Sequence, residues 1–134
     1  MTMAKWCVLA ACLLPIATVG LAKVASARQP RGRGAYDNRD PRAWARQLTG
    51  WAQRAHAAQL NGFESLPLFV AAVLFAQMAA DAAQHQGRID QLALAYVGLR
   101  VVYSALYILD QATLRTLVWT ASMAVCVALL ALGF

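Results

Sequence analysis

The chain has 134 residues, of which 60% are hydrophobic and 13% charged. Soluble domains run at roughly 45–50% apolar and about 25% charged, so this composition points to lipid as the solvent, and the length leaves room for one domain only. The net charge of +6 raises nucleic acid as a partner, but the basic residues are mostly arginines between Arg28 and Arg54, beside apolar runs, a placement that fits the positive-inside bias of membrane proteins and argues against nucleic-acid binding.

The first apolar run, Trp6 to Ala22, is bounded by Lys5 and Lys23. As a helix of about 3–25 it reaches roughly 25 Å over the apolar run, and its lysines snorkel to extend the span. The same stretch, with Ala25-Ser26-Ala27 behind it, also has the layout of a cleavable signal, although its apolar core is longer than the usual signal core of about 7–15 residues.

Residues 28 to 39 hold Gly32, Gly34 and Pro30 with four arginines and no apolar period, which predicts a loop. Asp40-Pro41 reads as a helix start: the Asp caps free amides, and Pro fits the first turn, where its missing N–H costs nothing. The helix predicted over 41–83 would be roughly 65 Å long, about twice a hydrocarbon core. Its first turns therefore lie outside the membrane, with the interface near Asn61. Pro67 should kink it and Gly50 weaken its start.

Residues 81 to 90 are expected to form a short polar turn. A third helix follows over about 89–109, a tight turn from Asp110 to Thr113, and a fourth helix over 114–134, uncharged after Arg115. The fold class expected is all-α, an integral membrane four-helix bundle of up-down topology in a single domain, 1–134. The first connection carries Arg28, Arg31, Arg33, Arg39, Arg42 and Arg46, and the second only Arg88 against Asp81 and Asp90. The 28–46 loop is thus assigned to the cytoplasm and both termini to the far side.

Polar groups inside such helices need a reason, since an Arg or Asp at the bilayer centre costs about 2.5–3.5 kcal/mol on insertion scales. At about 100° per residue, Arg54, Asn61 and Glu64 fall within about 80° of one another on the second helix. Tyr96, Arg100, Tyr103, Tyr107 and Asp110 do the same on the third. Asn61, Glu64, Tyr103, Tyr107 and Asp110 also share a depth near the cytoplasmic end, where Arg115 opens the fourth helix. Such a set suits a polar, anionic ligand. Arg supplies fixed positive charge, Asn both donors and acceptors, and Tyr a ring face and a hydroxyl. A structural alternative stands beside it: Glu64 neutralises Arg100 or Arg54, and the tyrosines form an interfacial belt. His56 falls about 200° from Arg54, off the stripe. His85 belongs to the polar turn. Cys7, Cys12 and Cys126 lie in apolar runs without metal-ligand spacing and read as packing residues.

The segment Arg54-Ala-His-Ala-Ala-Gln-Leu-Asn-Gly-Phe-Glu-Ser-Leu-Pro-Leu-Phe69 resembles the second-helix signature of the MAPEG family, the membrane-associated proteins in eicosanoid and glutathione metabolism, in its bacterial form R-A-x-x-A-H-x-N-x-x-E-x-x-P-x-F. Tyr103-x-x-x-Tyr107 and Arg115 are similar to the family's third and fourth helices. The resemblance spans nearly the whole chain. It implies a homotrimer in the bacterial inner membrane, with glutathione as co-substrate between neighbouring subunits. Asn61 and Glu64 would hold the tripeptide, with Tyr103 and Tyr107 lining its site beside Arg54 and Arg100. Arg115 would be the catalytic residue that stabilises the thiolate. The second substrate would be a lipophilic electrophile or peroxide arriving through membrane lipid. Ala57 stands where eukaryotic enzymes of the family have Arg, and Gln59 where bacterial members often have His. Two other functions are compatible with the residues: a non-catalytic lipid- or glutathione-binding protein of the same fold, and a small proton-coupled exporter using Glu64 as carrier.

Overall fold

The computed structural model describes residues 2–30 and 34–134; Arg31 and Arg33 of the basic loop lie outside the described residues. The described chain is helical: α1 (Met3–Ala27), α2 (Pro41–Arg46), α3 (Gly50–Met78), α4 (Ala82–Ile108) and α5 (Ala112–Ala131). The four long helices are each long and apolar enough to cross a membrane.

Their faces are inverted relative to a soluble protein. α1 buries Ala4, Cys7, Ala11, Pro15, Thr18, Ala22 and Ser26, while Trp6, Leu9, Leu13, Ile16 and Leu21 face outward. α3 buries Ala55, Ala58, Ser65, Phe69, Ala72 and Ala76 and exposes Leu60, Leu68, Leu74 and Met78. Water would drive the large apolar groups inward. In lipid that drive is absent, and small residues at three- and four-residue spacing let the helices approach closely. The approach is close at Gly62, where a Cβ would lie 2.6 Å from Pro15 Cγ. The α1 and α3 backbones therefore meet at a glycine and a proline. α1 is an integral wall of the bundle, and its Ala4 amide donates to Asp90 Oδ1 of α4 at 2.8 Å.

Two boundaries depart from the sequence-based expectation. The long helix over 41–83 is split. Asp40 caps α2 through a 2.9 Å bond from the Ala43 amide, with Pro41 in the first turn as predicted. The chain then turns at residues 47–49, and α3 restarts at Gly50, whose φ of +59° lies in the region glycine tolerates best. α3 then passes through Pro67 and ends at Met78, where Ala79 turns extended. The second departure is at residues 84–88, which are helical and belong to α4 rather than to a turn. Their polar side chains bond along the helix: His85 Nε2 to Asp81 Oδ2 at 3.0 Å and Gln86 Nε2 to Asp90 Oδ1 at 2.9 Å. Polarity there marks where the helix leaves an apolar environment, not where it stops.

Residues 34–48 fold back over one end of the bundle. Trp44 is buried with Val19, Ala22 and Ala55. Tyr36 meets Trp44 edge-on at 5.0 Å, and the Lys23 ammonium sits 4.6 Å from the Tyr36 ring centre.

Candidate functional site

The polar stripes of α3 and α4 meet one another, and they do so at three depths. Deepest is Tyr96. Its ring stacks on Phe69 at 3.9 Å with 9° between the planes, and its hydroxyl donates to Ser65 Oγ at 3.2 Å. Ser65 in turn donates to the Gly62 carbonyl at 3.1 Å. This layer is packing: the sequence reading did not single out Ser65 or Gly62, although both fall on the small-residue face at helical spacing.

One turn on, Arg100 is 3% exposed. Its Nη2 donates to Asn61 Oδ1 at 2.8 Å, and its guanidinium carbon lies 4.2 Å from the Tyr103 ring centre. Arginine has donors only, so the Asn61 amide must turn its oxygen inward. Its Nδ2 then faces outward, 3.4 Å from Glu64 Oε2. Glu64 itself is exposed. No carboxylate reaches Arg100 within ion-pair distance among the described residues, so the alternative in which Glu64 directly neutralises Arg100 is not what the geometry contains.

The outermost layer is an open cleft of about 220 Å³ lined by Asn61, Tyr103, Arg115, Thr116 and Trp119. Three helices contribute to it. Arg115 lies 4.1 Å over the Tyr107 ring, and Tyr107 meets Tyr103 edge-on at 5.7 Å. The Tyr107 ring holds the guanidinium by cation–π attraction, and no hydrogen bond from a described residue occupies its N–H donors. Thr116 and Trp119 are additions from α5, legible only as the residues one and four positions beyond Arg115.

Arg54 lies elsewhere. Its Nε donates to the Ile108 carbonyl at 2.9 Å and its Nη1 is 4.0 Å from Asp110 Oδ2. A cation on the last carbonyls of α4 satisfies orphan acceptors and opposes the negative end of the helix. Asp110, with φ +62°, occupies the left-handed position that ends α4, and the Gln111 amide returns to the Leu106 carbonyl at 2.9 Å. Arg54 thus holds the α4–α5 corner that carries Tyr107 and Arg115.

A second, larger cleft of about 690 Å³ lies between α1, α2 and the start of α3. Lys23, Arg42, Arg46 and His56 line it, together with Ala57 and Gln59. His56 is half-buried and bonded to Gln59 Oε1 at 3.1 Å. None of Asn61, Tyr103, Tyr107 or Arg115 borders this cleft.

In comparison with known proteins, the model of the MAPEG family fits residues 3–134. No curated protein and no solved structure matches the chain.

Proposed function

The chain belongs to the MAPEG family, and from that premise we propose that it is a glutathione-dependent membrane enzyme, a transferase or peroxidase acting on lipophilic electrophiles. The carrying observation is the convergence of Asn61, Tyr103 and Arg115 from three helices on one cleft, with the Arg115 donors unspent.

Glutathione brings two carboxylates, an ammonium and a thiol. Glu64 suits the ammonium and Asn61 Nδ2 a carboxylate or carbonyl oxygen, while Tyr103 and Tyr107 wall the site. Arg115 faces the sulfur. A neighbouring cation favours the thiolate over the thiol, and the thiolate is the nucleophile. In the transferase step its electron pair forms a carbon–sulfur bond as the leaving group departs with its own pair.

The same groups support oligomerisation. Ligand pockets usually enclose about 300–1,000 Å³, and this cleft holds about 220 Å³ and stands open. Asn61, Glu64, Arg115, Thr116 and Thr120 would also stand at least partly uncovered on a lone chain, and a protein neighbour would cover them. A homotrimer of up-down bundles in the bacterial inner membrane closes the cleft with a second copy, and it places the arginine-rich 28–46 loop in the cytoplasm and both termini outside it.

The test is direct. Glutathione added to purified protein should raise the thiolate absorbance band, and Arg115→Ala should remove the band while leaving the protein folded. Absence of both band and turnover with any electrophile refutes the enzyme reading. A second reading, ligand binding without turnover, rests on Ala57, which puts no cation one turn before Asn61. Calorimetric glutathione binding by a protein without a thiolate band would establish it.

A further inference from the structure

Arg100 has a fully buried donor atom left over among the described residues. Nη2 is held by Asn61, but Nη1 is buried with no partner in the protein. Arg100 also lines a small void of about 10 Å³ at the crossing of α1, α3 and α4, bordered by Ala11, Pro15, Ala58, Gly62 and Ser104.

α1 has a matching vacancy on the same side. Pro15 carries no N–H, so the Ala11 carbonyl four residues earlier receives no amide at that position. Ala11 and Pro15 share the buried face of α1, and both border the void. A buried donor without a partner among the described residues and a carbonyl without its usual i+4 amide thus flank a space about the size of one water probe. Ser104, one turn after Arg100 on α4, adds a hydroxyl to the wall.

We infer that this void binds a single water, which accepts from Arg100 Nη1, donates to the Ala11 carbonyl, and locks the Arg100–Asn61 pair to α1. The guanidinium is then held on two sides, by Asn61 on α3 and by α1 through the water. Arg100 is a positioning residue. It stands outside the 220 Å³ cleft, and it sets which way the Asn61 amide presents to it. The chain of contacts runs Ala11, water, Arg100, Asn61, Glu64, from the centre of the bundle to its surface.

Two measurements on the full chain test this. The first is a structure in lipid or detergent at a resolution that shows ordered water. A single peak about 2.7–3.2 Å from both Arg100 Nη1 and the Ala11 carbonyl oxygen is expected. An empty void, or Nη1 bonded directly to a protein acceptor, overturns the inference. The second is hydrogen exchange of the Arg100 guanidinium followed by nitrogen-15 NMR. Pro15→Ala gives the Ala11 carbonyl its own helical donor, and Ala58→Val fills the void from α3. Each should speed exchange at Nη1 by roughly tenfold as the lock opens. Unchanged exchange in both folded variants overturns the locking role. If neither variant folds, the density at the void decides alone.

Discussion

Replacing Asn61 with Ala strips Arg100 of the one hydrogen-bond acceptor it has among the described residues. The bond removed is 2.8 Å long and runs to a charged donor, a class that contributes about 1.5–3 kcal/mol. Removing the partner of a buried charge costs about 3–5 kcal/mol in soluble proteins. Between membrane helices the average hydrogen bond contributes only about 0.6 kcal/mol, because the unfolded chain in lipid also finds partners. Arg100 belongs at the upper end of these ranges, since it is 3% exposed and its Nη1 has no protein partner to begin with. The expected loss is about 2–3 kcal/mol, read by SDS titration in mixed micelles or by steric trapping. Exchanging both partners for apolar groups, Asn61→Leu with Arg100→Met, should recover most of that loss while glutathione binding stays abolished, because the outward Nδ2 is gone. Two results refute the reasoning: Asn61→Ala within about 0.5 kcal/mol of wild type, or a double variant no more stable than Asn61→Ala.

Gly62→Ala drives a methyl to 2.6 Å from Pro15 Cγ and should cost about 1–3 kcal/mol of overpacking, measured by the same titration. Adding Pro15→Ala should lessen the penalty, since Cγ is then absent. Asp90→Ala removes the acceptor of both the Ala4 amide and Gln86 and should lower stability by about 1 kcal/mol; Asp90→Asn, which keeps an oxygen acceptor, should recover most of it. At Asp110, φ is +62°, so Asp110→Gly should be more stable than Asp110→Ala by about 1 kcal/mol, read as a difference in thermal midpoint, with both variants losing the exposed contact to Arg54.

What was legible in the residues divides by the kind of physics that carries it. Apolar runs place all four long helices, because crossing hydrocarbon demands length and composition that only a few stretches possess. Ends were less legible: residues 84–88 look like a turn because polarity was standing in for helix termination, whereas the hydrogen-bond ladder continues through them. Gly50 carried a real signal, and a fully broken helix rather than a weakened one is what its positive φ produces. For the site, helical spacing places Asn61 and Glu64 near one another on α3 and Tyr96, Arg100, Tyr103 and Tyr107 along α4, whereas Arg54 turns to the α4 end and Asp110 lies past it, in the left-handed turn. Spacing fixes the angle between residues of one helix, but not the rotation of that helix against its neighbours or the depth at which two stripes meet. For α3 against α1 the rotation shows in Gly62 meeting Pro15, a contact between residues far apart in the chain. Once that crossing is set, three arginines of similar sequence context diverge. Arg115 keeps its donors for the cleft. Arg54 is spent on the α4 carboxyl end, and Arg100 lies beneath Asn61 and decides which way its amide faces. The polar stripe is therefore not a uniform binding surface: its outer layer offers groups to a ligand, and its inner layers orient those groups.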